Sequence, residues 1–366
     1  MRFPEFTEEW ETKKLGEIGE IVNGLTYSPN DIAENGVLVL RSSNVQNRSL
    51  AFEDNVYVRT DNYNPVQEND ILICVRNGSK NLIGKNALIN KENEGIAFGA
   101  FMSIYRSSFN RFLFHWFDTN EYKEIVHKNL GATINSINGS DLRKFKVPFP
   151  SVEEQNKLAS FLSLVDERIQ TQNKIIEELK LLKITLRYQL YEQILNHENE
   201  YVQVKDTLNY EQPTKYLVTN TDYSSDISLI PVLTANKAFV LGYTDEEFGI
   251  YDKGQCIIFD DFTMDIKFVN FPFKVKSSAI KILTAKPNVN LKFIFEYLSF
   301  LNLSSNEHKR HYISEIEPME MQLPNYIQQT YVADFLASID DKIKTEFEIH
   351  TLLLKQKQYL LANLFI

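Results

Sequence analysis

Two cysteines, no apolar run approaching the ~18 residues of a membrane span, and no surplus of positive charge are the first facts of this 366-residue sequence. Cys74 and Cys256 each sit in a strand-like apolar run, which predicts buried free thiols and leaves no cysteine metal cluster to assemble. The opening stretch from Met1 to Trp10 lacks a basic-then-apolar signal pattern, so the cytosol is the expected compartment and no membrane partner is expected. The net charge of −10 withholds the basic footprint that a nucleic-acid reader normally carries. What the chain has is core material: 43% apolar and 12% aromatic residues, with 25 Phe and 18 Tyr, over a length that fits two ordinary domains.

The sequence repeats itself. Pro150 to Leu190 matches Pro324 to Leu364 at a constant offset of 174, without a gap. Pro150, Gln155, Ala159, Phe161, Leu162, Asp166, Ile169, Thr171, Leu179, Lys183, Leu186 and Leu190 return as Pro324, Gln329, Ala333, Phe335, Leu336, Asp340, Ile343, Thr345, Leu353, Lys357, Leu360 and Leu364. Each copy opens on a helix start that fits a capping box, Ser151 to Glu154 and Asn325 to Gln328.

Beyond the caps the apolar spacing alternates four and three. The first seam runs through Leu158, Leu162, Val165, Ile169, Ile176, Leu179, Leu186 and Leu190, with Gln172 and Lys183 in its polar places. The second runs through Val332, Leu336, Ile339, Ile343, Leu353, Leu360 and Leu364, with Glu346, His350 and Lys357. A helix of about 40 residues spans roughly 60 Å, too long for an ordinary buried helix and patterned to pair with another of its kind. A globular segment separates the copies, so the pattern alone leaves parallel and antiparallel pairing open.

The expected division is therefore a head at 1–149, a helix at 150–197, a second head at 198–323 and a second helix at 324–366. Both heads read as mixed helix and strand, which makes the fold class α+β. Strands are expected at Val37–Arg41, Ile71–Val75, Ile96–Tyr105, Leu229–Leu233, Cys256–Asp260 and Ala279–Leu283, and helices at Phe112–Asn129 and Leu291–Leu301. Little side-chain identity links the heads, which suggests one task performed on two targets.

Catalytic patterns are weak. Gly78 to Asn86 resembles a phosphate loop but carries one residue too many between its glycines, and Asn where Ser or Thr should hold magnesium. Asp265 and Lys267, with Asp260 and Asp261 upstream, would suit a metal-dependent nuclease, but the first head has no counterpart. His308 and His311 flank Lys309 and Arg310 without a further metal ligand at convincing spacing. No methyl-donor loop and no Asn-Pro-Pro-aromatic motif is present, so the chain is expected to be no enzyme by itself.

Polar loops after expected strands have the donor geometry to read bases, since Arg suits guanine and Asn adenine. In the first head these are Arg41, Ser43 and Asn44, then Arg76, Asn77, Ser79 and Lys80, with Lys85, Thr133, Asn135, Asn138 and Ser140 as further base or phosphate contacts. In the second head the comparable places hold Thr234, Asn236 and Lys237, then Phe262, Thr263 and Lys267, then Lys309, Arg310 and Tyr312. Acid outweighs base most in the second head, with 12 Lys and Arg against 18 Asp and Glu over 198–324. Phosphate binding by the isolated chain should be weak, and a partner supplying positive charge would resolve the difficulty.

The order of variable head, Pro-x-x-x-x-Gln helix, second head and second such helix resembles the specificity subunit of Type I restriction-modification systems. Pro150 to Gln155, Pro324 to Gln329, the helices behind them and Leu15-Gly16-Glu17-Ile18 carry the resemblance, which covers essentially the whole chain. Arg76 to Ser79 and Asp260 to Thr263 also resemble stretches of known target-recognition domains. The resemblance implies that each head reads half of a bipartite, interrupted sequence in double-stranded DNA, with the helices pairing as an antiparallel coiled-coil spacer. It implies two adenine methyltransferase subunits and restriction/translocase subunits as partners. S-adenosylmethionine, ATP and magnesium would reside on those partners, with no cofactor in this chain. Two other readings compete: a coiled-coil scaffold unrelated to DNA, and a metal-dependent nuclease.

Overall fold

The computed structural model describes residues 2–130, 135–197, 199–235, 238–305, 307 and 309–365. Thr133, Asn236, Lys237 and His308 lie outside the described residues. Two compact units form, Met1–Gln172 with Ile349–Ile366, and Asn173–Glu348.

In the first unit the central strand Ile71–Cys74 is buried on both faces because its side chains alternate between two cores. Ile71 and Ile73 join Trp116, Phe117 and Tyr122, while Leu72 and Cys74 join Leu40, Phe98 and Ile104. This strand lies in an antiparallel sheet ordered Glu20–Asn23, Met102–Arg106, Ile71–Cys74, Asn86–Leu88. A smaller mixed sheet places Ile32–Leu40 between antiparallel Tyr57–Val58 and parallel Ala97–Phe98.

The second unit repeats both sheets in the same order. Leu208–Glu211, Ile280–Ala285, Cys256–Asp260 and Ile266–Val269 are antiparallel neighbours. Ile230–Leu233 lies between antiparallel Val240–Thr244 and parallel Lys274–Val275. Cys74 ends the central strand of the first unit and Cys256 begins that of the second; both are buried, and burial pushes the thiols up to about 11 and about 12, which leaves both unreactive.

Two expected elements of the first head are each divided. The run Ile96–Tyr105 forms two strands in different sheets, with the switch at Gly99, where the backbone crosses so closely that a Cβ on Gly24 would lie 2.2 Å from the Gly99 oxygen. The expected helix over Phe112–Asn129 forms as Asn110–Trp116 and Asn120–Lys128, because Thr119 caps a new start by accepting the Tyr122 N–H.

A two-stranded closure ends each head: Glu11–Lys14 pairs with Lys146–Phe149, and Glu200–Gln203 with Glu320–Leu323. The chain then enters the long helices, Val152–Leu195 and Tyr326–Leu364. Buried Gln155 donates to the Pro150 carbonyl at 2.8 Å, and buried Gln329 to Pro324 at 2.8 Å, so each amide satisfies an oxygen left over where strand becomes helix. The caps themselves are single. Ser151 and Asn325 accept the N–H groups of Glu154 and Gln328, but the Glu154 carboxylate does not reach back; it takes Arg2 at 2.7 Å and the Trp10 indole N–H at 3.0 Å.

Within each unit, parts of both long helices run antiparallel. In the first, Leu158, Ala159 and Leu162 share a core with Leu360, Leu361 and Leu364; in the second, Tyr191 shares one with Val332, Ala333 and Leu336. The seam positions Leu162, Ile169, Ile176, Leu336 and Leu360 are buried, and Val165, Leu179, Ile339, Ile343 and Leu353 half-buried. His350 is half-buried too, its Nε2 without a hydrogen-bond partner among the described residues.

Repeat-equivalent ion clusters hold each head on its helices. Lys357 lies 2.6 Å from Asp166 on the other helix and 2.7 Å from Asp118 on the head. Lys183 lies 2.6 Å from Asp340 and 2.8 Å from Glu296. Glu296 has no exposed side-chain surface, and burial pushes its carboxyl up, yet Lys183, Lys292 and Arg187 outweigh that and hold it below the usual carboxylate range. Burial likewise raises Asp118, and Arg48 and Lys357 pull it back below.

Candidate nucleic-acid interface

Three strands of the first head, whose equivalents recur in the second, end in adjoining loops. In the first head, Ile32–Leu40 runs into Arg41, Ile71–Cys74 into Arg76, and Ala97–Phe98 into Phe101. Their junctions are hydrogen-bonded. The Asn77 amide donates to Ser42 Oγ at 2.9 Å, the Arg76 N–H to the Phe101 carbonyl at 3.1 Å, and the Asn135 amide to the Gly78 carbonyl at 2.9 Å. Arg76, Ser79, Lys80 and Asn138 are exposed, and Ser43, Asn77 and Lys85 half-buried. Phe101 is 55% exposed with the Arg76 guanidinium 5.6 Å from its ring centre, a stacking-capable pair not among the polar residues expected to read bases. Its signal in the sequence is a bulky aromatic directly after Gly99-Ala100.

Other candidates of the first head have internal roles. Asn44 is fully buried, accepting the Arg41 N–H and donating to the Ala51 carbonyl at 2.9 Å, so it shapes its loop and presents no edge to a base. The Arg41 guanidinium pairs with Asp54 at 2.8 Å. Asn138 caps Gly139–Leu142 by accepting the Asp141 N–H, with Ser140 donating to the same oxygen.

In the second head the corresponding hairpin is shorter. Asp260 accepts the N–H groups of Phe262 and Thr263 at 2.9 and 3.0 Å, and Met264 takes a positive φ of 61°, so the tip turns sharply and leaves Phe262 and Thr263 exposed. Lys309 and Arg310 are exposed beside it, Lys309 held by Glu307 at 2.6 Å and Glu315 at 2.9 Å. Tyr312, expected at the interface, is wholly buried, its ring 5.4 Å from Phe259, and so anchors the segment. Thr234 is buried and Lys267 half-buried on the strand Ile266–Val269.

The repeat offset reaches back into these loops. The Ile137 N–H donates to the Val75 carbonyl at 2.9 Å, and His311, 174 residues later, donates to the Asp261 carbonyl at 3.0 Å. Both heads thus lay the segment before the closing strand against the end of the central strand.

The acids of the nuclease reading are occupied. Asp260 holds its turn, Asp265 accepts the Thr263 hydroxyl at 2.9 Å, and Asp261 is buried against Lys281 at 3.4 Å. Among the described residues no group of three or more His, Cys, Asp and Glu is arranged to hold a metal ion, and no helix is long and apolar enough to cross a membrane.

Residues 7–181 match the Type I restriction modification DNA specificity domain. The chain is 44% identical over 133 residues, 35% of its length, to the EcoR124I/EcoR124II specificity subunit of Escherichia coli, and this match spans 33% of that relative. It is 24% identical over 93% of its length to a type I restriction enzyme specificity subunit, MjaX, of Methanocaldococcus jannaschii, spanning 89% of that relative. In fold it resembles the Type-I restriction-modification system S subunit from M. genitalium, with a TM-score of 0.64 at 15% identity over 100% of this chain and 99% of the other.

Proposed function

The chain belongs to the specificity subunits of Type I restriction-modification systems, and from that premise we propose that it reads a bipartite, interrupted sequence in duplex DNA, one half per head. One observation carries the proposal: two heads of identical strand order but divergent sequence expose polar loops at the ends of matching central strands, Arg41 to Phe101 in the first and Phe262–Thr263 with Lys309–Arg310 in the second, on helices that repeat without a gap. In the first head, exposed Arg76 offers paired donors to a guanine edge, while Lys80 and Lys85 are suited to phosphates. In the second, Phe262 and Thr263 offer an apolar and a hydroxyl contact, flanked by Arg310.

The chain directs chemistry that partners perform. Its −10 charge opposes unaided phosphate binding, which fits assembly with two adenine methyltransferase subunits bearing S-adenosylmethionine and with ATP- and magnesium-dependent restriction subunits. Those partners enclose the DNA, and this chain selects where they act. The test is co-expression with a Type I methyltransferase subunit followed by methylation-aware sequencing of the host genome. One interrupted adenine-methylated motif is expected; a methylome without any such motif overturns the proposal.

A further inference from the structure

Asp261 is the most heavily used buried side chain at the second head's loop cluster. One carboxylate oxygen accepts the backbone N–H groups of His311 at 3.1 Å and Tyr312 at 2.8 Å. The other lies 3.4 Å from Lys281 Nζ and 4.0 Å from Arg310 Nε. The backbone adds two links, from the Asp261 N–H to the Ala279 carbonyl and from the His311 N–H to the Asp261 carbonyl, each 3.0 Å. Asp261 directly precedes Phe262 and Thr263, and the segment it grips carries Lys309 and Arg310. A single buried carboxylate therefore ties together the two loops that expose those four residues.

We propose that Asp261 is the positioning residue of the second head, fixing the Phe262–Thr263 tip and the Lys309–Arg310 segment in one arrangement so that they read DNA as a unit. The inference rests on the DNA-reading function proposed above. Charge-assisted hydrogen bonds from a buried carboxylate to two backbone N–H groups are stronger than neutral ones, and their loss strands the Tyr312 N–H and the Lys281 ammonium inside the protein, while the His311 N–H keeps the Asp261 carbonyl. The loops would then be joined by the main-chain bond from His311 to Asp261 without the carboxylate's clamp, and would loosen while the strands behind them stay paired. Base discrimination in that half-site should fall before folding does.

The experiment compares methylomes directed by the wild-type complex and by complexes carrying Asp261→Ala, Asp261→Asn or Tyr312→Phe, with complex yield measured for each. Arg76→Ala identifies the half-site read by the first head. Asp261→Ala is expected to reduce discrimination in the other half-site about tenfold or more, while the first half-site keeps its sequence. Asp261→Asn keeps an acceptor for the two N–H groups but strands Lys281, and should give a partial loss that Lys281→Met repairs. Tyr312→Phe removes a hydroxyl that has no partner among the described residues and should leave the motif intact. Equal weakening of both half-sites by the Asp261 variants, or an unchanged second half-site, overturns the proposal. A wild-type complex that yields no bipartite motif instead overturns the function on which it rests.

Discussion

Lys357→Met removes the cation shared by Asp166 and Asp118 in the first unit, and the consequence can be worked from their other contacts. Asp118 keeps Arg48 at 3.4 Å and Lys123 at 3.5 Å. Asp166 keeps the attraction of Arg48 and His115 at 3.7 Å, and burial, aided by Arg48 and Lys357, holds that imidazole down at about 3, so it is neutral at pH 7. Breaking a buried pair typically costs 3–5 kcal/mol. Because the Asp166 side chain is 22% exposed and partly hydrated, about 3 kcal/mol is expected. Both tryptophans, Trp10 and Trp116, lie in this unit, so intrinsic fluorescence during urea unfolding reports on it selectively. With a urea slope of about 2–3 kcal/mol per molar, the midpoint should fall by about 1–1.5 M. Adding Asp166→Asn removes the stranded charge and should recover roughly half of the loss. A shift below about 0.3 M, or a double variant no more stable than the single one, would refute the assignment.

His115 makes the same unit sensitive to mild acid. Its folded pKa is depressed, so below the ordinary value near 6.5 the unfolded chain takes up a proton that the folded one refuses, and stability declines as pH falls toward 3. Between pH 7 and pH 5 the loss should be about 2 kcal/mol by the fluorescence assay, and His115→Gln should flatten it; an unchanged slope in that variant counters the reasoning. For the loops proposed to read DNA, Arg76→Ala in the assembled complex should weaken DNA retention and relax one half-site, whereas Phe101→Ala should weaken retention through lost packing against Arg76. Retention assays at graded salt check both, and wild-type binding by each variant would remove these residues from the interface.

Much of the architecture was legible because it is periodic. The offset of 174, the seam through Leu162, Ile169, Leu336 and Leu360, and the paired Pro-x-x-x-x-Gln starts are local patterns with mechanical causes, and the structure adds why Gln155 and Gln329 recur. Sequence patterns failed where the deciding partner lies far along the chain. Lys183 and Lys357 looked like polar interruptions of a seam until Glu296 and Asp118 came down on them. Asn44 and Tyr312 have the chemistry of base readers, but burial assigns them to holding loops, which residue type alone does not reveal. Phe101 escaped notice for the opposite reason: an apolar side chain invites assignment to the core, yet this one stands in solvent beside Arg76. The division of Ile96–Tyr105 between two sheets depends on how closely Gly24 and Gly99 approach, a tertiary fact without a periodic signal.

The central claim is that each head reads its own half of the target. Replacing residues 198–323 with the corresponding head of another Type I specificity subunit, then sequencing the methylome directed by the assembled complex, tests it most directly. The account predicts a motif that keeps one half-site unchanged and exchanges the other; a motif altered in both halves, or in neither, would contradict it.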